Sequence, residues 1–494
     1  MYDSIVKNIS YGGDDEQVLS ILYERITGIF PQAVVRMPGA GSNRRYYRLS
    51  GVVDVVGVSS EDLSENNTFV YLAENFYDKG LPVPEVLAVS DSGAHYLVED
   101  LGDMSLFDYI ARGRDGGEWN DDIIDMLKKT IAALADFQWR GIAGLDINRL
   151  PVPQMDYVSV SWDLNYFKYC FLLPSGVRYN ESLLEKQFDR LAMALLEAKS
   201  DVFMYRDFQS RNVMIKDGAP WFIDFQGGRR GPCYYDVASF LWQAKASYPD
   251  RLREKLITAY LDSAKRYADI DRVEFCRHLD DFVLFRLLQV LGAYGYRGNF
   301  EGKSHFVQSI PYALENVKGL EPRIESRYGY LCQLLREVAA IPRYRRVEPA
   351  DKLTVKVASF GYNRHGIPRD ISGNGGGFVF DCRALHNPGR YDEYKKLSGR
   401  DSEVIDFLET KSDIKDFVDE ACKMVDRSVA VYRERGFTDL MVSFGCTGGR
   451  HRSVYCADCL ARYIHKAYPD VRVELTHFER GIRETFNPRT EQNR

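Results

Sequence analysis

The sequence predicts an α+β domain of two lobes followed by an α/β sandwich domain whose last βαβ unit carries a phosphate-binding loop. Three observations predict it. Short β-patterned runs cluster before Glu99, whereas helical periodicity dominates from Ser105 to Leu334. The stretch Pro342 to Lys352 holds two prolines and clustered charge without periodicity, which marks a linker. Beyond it, strand, glycine turn, helix and strand follow one another from Asp439 to His477, the order of a parallel βαβ unit. With 494 residues the chain has room for two to four domains of about 150 residues. The expected boundaries are 1–342, a linker at 343–352, and 353–494.

In chain order, residues 15–29 have the pattern of an amphipathic helix, and Ala33–Met37, Arg45–Leu49 and Val52–Val58 of short strands. Between the first two strands, Pro38-Gly39-Ala40-Gly41-Ser42-Asn43 is a flexible turn. A helix follows at about Asn66–Lys79, then strands near Val86 and at His95–Glu99. The helical stretch includes Asp121–Trp139 and Val273–Tyr296 and is interrupted by a β-rich patch, Phe203–Gln226. After the linker come strands at Thr354–Phe360 and Phe378–Asp381, helices at Ser402–Glu409 and Ile414–Arg435, a strand at Asp439–Phe444, a helix at His451–Lys466 and a strand at Val471–His477.

A 45% apolar and 13% aromatic composition supports sizeable cores throughout. The net charge of −6 argues against a chain wrapped in nucleic acid but leaves room for a local basic pocket. Residues from 351 onward carry +2 and the front −8. The nine cysteines are odd in number and scattered, the usage of reduced thiols in a cytoplasm. Met1–Gln17 has four acidic residues and no apolar core, so no signal peptide is expected. No apolar run approaches the ~18 residues of a span, so no membrane partner is expected.

The β-rich patch carries the front chemistry: Asp207, Asn212 and Asp224 within Tyr205-Arg206-Asp207 to Asn212-Val213-Met214 and Ile223-Asp224-Phe225-Gln226. Phosphoryl transfer from a nucleotide needs a carboxylate beside the attacking hydroxyl, an amide oxygen on a metal ion and a second carboxylate bridging metal to phosphates. Asp-x4-Asn followed by a strand ending in Asp supplies all three. With Ser42-Asn43-Arg44-Arg45-Tyr46-Tyr47-Arg48 ahead of it, residues 15–340 resemble the aminoglycoside phosphotransferase and choline kinase superfamily, most closely the bacterial N-acetylmuramate/N-acetylglucosamine anomeric kinases. The resemblance implies a bilobal protein-kinase-like fold, ATP in the cleft, Asp207 as base, and Asn212 and Asp224 as Mg2+ ligands. The expected ATP contacts are Gly39, Gly41, Ser42, Asn43, Arg44, Arg45, and Glu99 with Leu101 at the lobe junction. Two departures stand out. Tyr205 replaces the usual His two residues before the catalytic Asp, and no Lys lies on Val52–Val58, leaving Arg44 or Arg45 for the phosphates. Asp236, at the start of a helix, reads as a cap or core anchor.

The rear chemistry lies in Cys446-Thr447-Gly448-Gly449-Arg450-His451-Arg452-Ser453, between a buried strand and a helix. Glycines that let amides curl inward, a helix start, two Arg and a His make an anion site. Cys446 and Arg452 also have the Cys-x5-Arg spacing of a thiolate phosphatase, but Gly445 stands where such enzymes have His and no acid loop is evident. Cys456 and Cys459 read as core thiols. Val357–Tyr362, Gly366–Pro368, Phe378–Arg383, Asn387-Pro388, Leu397–Gly399 and the loop itself, in order over 353–480, resemble the carboxy-terminal domain of RapZ, the RNase adapter protein. That resemblance implies a phosphosugar ligand such as glucosamine-6-phosphate at Cys446–Ser453, and RNA. The tail Asn487–Arg494 is not a lysine-rich RNA-binding tail, which weighs against RNA. The combined expectation is a cytoplasmic, ATP-dependent amino-sugar kinase of cell-wall recycling with a phosphosugar-binding module. The alternatives are a regulatory sensor with little kinase activity and a Cys446 phosphatase.

Overall fold

In the computed structural model, residues 14–37, 44–113, 119–344, 353–370, 377–434 and 437–488 are described. The chain divides into two compact units: Met1–Ala293 with Tyr312–Ala339, and Tyr294–Pro311 with Ala340–Arg494. Tyr294–Pro311 falls in the second unit, which resumes at Ala340, whereas the expected front domain runs unbroken to 342.

The first unit opens with α1 (Asp14–Thr27), β1 (Ala33–Arg36), β2 (Arg45–Ser50), β3 (Val55–Ser59), α2 (Leu63–Asp78), β4 (Val86–Val89) and β5 (His95–Glu99). The strands form one antiparallel sheet in the order β1-β2-β3-β5-β4. Leu19, Leu22, Tyr23, Leu49, Val55 and Leu97 pack α1 against it. β3 starts at Val55, not Val52. The Tyr23 hydroxyl donates to Val53 O at 2.9 Å and accepts from Val53 N at 3.2 Å, which holds residues 51–53 as a turn. α2 starts earlier than expected because Asp62 caps it, accepting from Glu65 N at 2.9 Å. That brings Glu65 into its first turn.

The helical lobe, labelling helices of eight residues or more, holds α3 (Leu106–Gly113), α4 (Asp121–Ile142), α5 (Tyr157–Phe167), α6 (Glu181–Glu197), α7 (Tyr234–Leu241), α8 (Asp250–Ala264), α9 (Arg272–Gly295) and α10 (Ile310–Ala340). Between α6 and α7 lie β6 (Val202–Met204), β7 (Val213–Lys216), β8 (Ala219–Phe222) and β9 (Arg229–Gly231), paired as β6-β9 and β7-β8. Asp217 and Gly218, at φ 52° and 71°, close the β7-β8 hairpin with the turn that two left-handed residues make. An aromatic cluster floors the segment from Phe203 to Gln226. Phe76 of α2 lies 4.7 Å from Phe137, 4.9 Å from Phe203 and 5.4 Å from Phe225, and Phe69 stacks on Phe225 at 5.2 Å.

The second unit holds β10 (Thr354–Gly361), β11 (Gly377–Asp381), α11 (Ser402–Lys411), α12 (Ile414–Glu434), β12 (Asp439–Cys446), α13 (Arg452–Ala467), β13 (Arg472–His477) and β14 (Ile482–Phe486). Its sheet runs β11-β12-β10-β13-β14, parallel except for the last strand. The βαβ unit forms, but its two strands are not neighbours: β10 lies between them. β14, not expected from the sequence, is held by Arg400, which pairs with Glu484 at 2.6 Å and Asp458 of α13 at 2.7 Å. Val355, Val357, Val442, Phe444, Val473 and Leu475 form one core with the inner faces of α11, α12 and α13. Among the described residues no helix is long and apolar enough to cross a membrane.

Candidate functional site

β6 leads into the loop that carries Asp207. The backbone N–H groups of Tyr205 and Arg206 donate to the two oxygens of Asp236, each at 2.8 Å, and Gln138 Nε2 donates at 2.9 Å. Burial pushes the Asp236 carboxyl up to about 6 against these donors, so Asp236 anchors the loop. Arg206 is held at φ 78°, a conformation costing an L-residue roughly 1–2 kcal/mol, with its guanidinium on Asp163 at 3.3 Å. The Tyr205 hydroxyl donates to Ile223 O. It thereby ties the Asp207 loop to the residue before Asp224.

Asp207 itself is half exposed, its side chain 47% accessible, with Arg286 Nη2 3.7 Å from Oδ1. Asn212 Nδ2 donates to Asp207 O at 2.9 Å and to Asp224 Oδ2 at 3.1 Å, which leaves the carbonyl end of its amide for a cation. Asp224 sits at φ 69°, where Asp is tolerated better than most residues. From there a polar chain runs into the strand-rich lobe. Gln226 Nε2 donates to Asp224 Oδ1 at 2.8 Å and to Glu65 Oε1 at 3.2 Å, and Arg44 Nη2 pairs with Glu65 Oε1 at 3.1 Å. Although one edge of Asp224 is open, desolvation and then the charge of Asp207 push its carboxyl up. An amide oxygen and a carboxylate fit Mg2+, a hard cation that takes one or two protein oxygens and completes its shell with phosphates and water. No cluster of three His, Cys, Asp or Glu side chains suited to a metal occurs among the described residues.

The expected nucleotide contacts divide. Arg44 is buried and takes the ion pair with Glu65 of α2. Arg45 is a correction. Adjacent residues of an extended segment face opposite ways, so it turns to α1. There Asp15 accepts from it at 2.6 Å and from Tyr47 and Ser59 at 3.0 and 2.9 Å, with His95 at 3.0 Å. Glu99 pairs with Lys216, and Leu101 is buried just past β5. Gly39, Gly41, Ser42 and Asn43 lie outside the described residues. Glu65, Asp163 and Arg286 escaped the sequence reading. Only Glu65 has a local signal, the capping Asp62 three residues earlier.

In the second unit, the loop from β12 to α13 follows Cys446. No side chain caps α13, whose first turn, Arg452 to Val454, is buried. Gly361 and Gly449 interlock the ends of β10 and β12. A Cβ on Gly361 would lie 2.8 Å from Gly448 C, and one on Gly449, at φ 67°, 2.4 Å from Glu479 Cγ. Tyr362 N and Asn363 N donate to Cys446 O and Thr447 O at 2.9 and 3.2 Å. Thr447, Gly448 and Arg450 are exposed there, at the carboxyl ends of parallel strands where open α/β sheets take ligands.

Three expected phosphate contacts are corrected by this geometry. Arg452 Nη1 donates to Arg383 O and Leu385 O at 3.0 and 2.8 Å, and His451 Nε2 lies 2.9 Å from Tyr394 O. Both are buried and serve the 383–397 segment, whose carbonyls need donors. Desolvation holds the His451 imidazole below its ordinary value. Ser453 faces inward, 3.1 Å from the buried Cys446 thiol. Arg452 Nη1 is thus tied to backbone carbonyls, while its Nε is buried without a hydrogen-bond partner. Cys456 is a core thiol 3.9 Å from Cys382.

Residues 34–276 match the model of the phosphotransferase enzyme family, and residues 353–480 that of the RapZ C-terminal domain. A nucleotide-binding protein of Glaesserella parasuis serovar 5 is 36% identical over 129 residues, which is 26% of this chain and 43% of that protein. One of Pelobacter propionicus is 34% identical over 169 residues, 34% of this chain and 56% of that protein. The chain thus spans about half the length of these relatives. A choline kinase from Cryptosporidium parvum Iowa II superposes with a TM-score of 0.47 at 13% identity, over 65% of this chain and all of that one. An ethanolamine kinase of Plasmodium vivax gives 0.42 at 12%, over 65% and 99%.

Proposed function

We propose that this chain, a phosphotransferase-family kinase domain joined to a RapZ C-terminal domain, transfers the γ-phosphoryl group of ATP to a hydroxyl of an amino sugar from cell-wall recycling and binds a phosphosugar in its second domain. The observation that carries the first half is the unbroken polar chain Arg44, Glu65, Gln226, Asp224, Asn212, Asp207, which joins the two lobes.

Each group has a task. The Asp207 carboxylate, exposed and set next to Asn212, accepts the proton of the attacking hydroxyl. Arg44, held by Glu65, offers a fixed cation to the nucleotide phosphates. Asn212 and Asp224 would hold Mg2+, which when bound neutralises charge on the phosphates. Asp236 and the Tyr205 hydroxyl keep Asp207 and Asp224 in register, so little reorganisation is needed during transfer. In the second domain the loop amides at Thr447–Gly449 supply the phosphate contacts, beside the exposed Arg450, whose Nη1 donates to Lys395 O at 2.8 Å. Glucosamine-6-phosphate is the ligand proposed there. All nine cysteines are free, consistent with action in a reducing cytoplasm.

Phosphorus NMR of the full chain incubated with ATP, Mg2+ and a panel of amino sugars tests this reading. A new sugar-phosphate resonance is expected. ATP left intact, or ADP and inorganic phosphate alone with every sugar, would contradict it.

A further inference from the structure

Among the described residues neither carboxylate oxygen of Asp207 accepts a hydrogen bond; only its backbone carbonyl does, from Asn212. Its ion pair is with Arg286 of α9, whose Nη2 lies 3.7 Å from Oδ1. That distance is too long for a hydrogen bond but short for two opposite charges. Groups other than Asp207 hold Arg286 there. Its Nε donates to Ser239 Oγ at 3.1 Å, and its Nη1 to Gln289 Oε1 at 2.5 Å and to the Tyr235 hydroxyl at 3.4 Å. With its side chain only 14% exposed, the guanidinium is locked in place.

One helix fixes both members of this pair. Tyr235 and Ser239, a turn apart on α7, hold Arg286. Asp236, between them, takes the backbone amides of Tyr205 and Arg206 just ahead of Asp207. A second path closes a ring. Gln289, a turn beyond Arg286 on α9, donates to Asp163 Oδ2 at 3.0 Å, and Asp163 of α5 accepts from Arg206 Nη2 at 3.3 Å. Arg206 precedes Asp207 in the chain, so α5, α7 and α9 all bear on one carboxylate. Oδ2 lies beside Gly227, whose missing side chain leaves that oxygen uncrowded: an added Cβ would stand 3.9 Å away.

On the kinase reading above, we propose that Arg286 is a positioning residue: its charge turns Oδ1 of Asp207 toward α9 and so presents Oδ2 to the acceptor hydroxyl. In the transfer the hydroxyl O–H bond breaks and its proton goes to Oδ2, while the hydroxyl oxygen bonds to the γ-phosphorus. The bond from that phosphorus to the bridging oxygen breaks, and its electron pair leaves with ADP. Arg286 forms and breaks no bond. Because it makes no hydrogen bond to the carboxylate, it orients Asp207 without occupying the lone pair that takes the proton. An exposed carboxylate without this cation samples several rotamers, and a base aimed away from the hydroxyl loses the advantage of proximity.

Steady-state and single-turnover rates of the full chain with Mg-ATP and either N-acetylmuramate or N-acetylglucosamine test this. Arg286→Met is expected to lower kcat about tenfold or more, with KM for ATP within about threefold of wild type. Arg286→Lys, which keeps the charge, should recover part of the loss. A double-mutant cycle reads whether the effect passes through Asp207: in the Asp207→Ala background, Arg286→Met should change the single-turnover rate by less than about threefold. Losses that multiply in the double variant overturn the proposal and place Arg286 on the phosphates or the sugar. Wild-type kcat in Arg286→Met also overturns it, as does a KM for ATP that rises as far as kcat falls, the mark of a general disturbance of the lobe. Should Arg286→Met fail to fold, Arg286→Lys and Arg286→Gln carry the same cycle. A wild-type chain that transfers phosphate to neither sugar and leaves ATP intact sinks the kinase reading itself, and the proposal with it.

Discussion

Removing either partner of the Arg44–Glu65 pair should have unequal effects, because the two side chains differ in access to water. Arg44 is 4% exposed at its side chain and Glu65 41%. In Glu65→Ala, a guanidinium that water barely reaches loses its carboxylate, and Gln226 loses an acceptor. Breaking a buried pair costs about 3–5 kcal/mol; the partial exposure of Glu65 lowers this to about 2–3 kcal/mol. For a unit of this size about 1 kcal/mol moves Tm by roughly 2–4 °C, so a fall of about 5–10 °C is expected. In Arg44→Ala the carboxylate left behind can hydrate. The loss is then about 1 kcal/mol, including the weak contact of Arg44 over Phe69, and Tm falls by only a few degrees. Nucleotide affinity shows the reverse order. Arg44→Ala gives up a charge-assisted contact to phosphate worth roughly 1.5–3 kcal/mol, about a 10–100-fold weaker Kd for Mg-ATP. Scanning and titration calorimetry on both variants read the two quantities. Equal Tm shifts, or wild-type ATP affinity in Arg44→Ala, would refute the assignment of Arg44 as a positioned phosphate cation.

Tyr205→Phe should lower kcat at least tenfold and Tm by a few degrees, since the half-buried Ile223 carbonyl loses its donor; a steady-state assay and a melt check both. Asp15 is held well below the usual carboxylate range by Arg45, His95, Ser59 and Tyr47 against its own desolvation. A depressed folded value means stability present above the unfolded value near 4 and lost as pH falls through the folded one. Asp15→Asn should therefore flatten the acid limb of a Tm-versus-pH curve below about pH 4. Gly449→Ala, at φ 67° and against Glu479, should destabilise the second domain by about 1–3 kcal/mol. It should abolish calorimetric binding of glucosamine-6-phosphate, whereas Cys446→Ser should leave that binding near wild type.

What the sequence discloses follows the range of the interactions. Alternation placed the strands of the first lobe, and Asp207, Asn212 and Asp224 stood out because metal and base chemistry needs them at close spacing. Arg44 and Arg45 could not be told apart, since neighbours differ only in which face they take, and that depends on Asp15 and Glu65 far away in the chain. The first turn of α2 was missed because Leu63-Ser64-Glu65 is polar apart from one residue, and its start rests on Asp62. In the second domain the glycine loop was legible as an anion site, but not the fates of His451 and Arg452. Their partners are carbonyls between Arg383 and Tyr394, roughly sixty residues away. The insertion of β10 between β12 and β13 is likewise a long-range pairing with no local signature. Asp163 and Arg286 come from separate elements and come within electrostatic reach of each other only in the folded lobe.

The most direct test of phosphoryl transfer at this cleft is single-turnover kinetics of Asp207→Ala beside the wild-type chain, with Mg-ATP binding measured on the same samples. Loss of a general base and of the positioned acceptor predicts a fall of at least ~10²–10⁴-fold in the transfer rate, with ATP affinity within a few-fold of wild type. A variant that transfers phosphate at the wild-type rate would contradict the account.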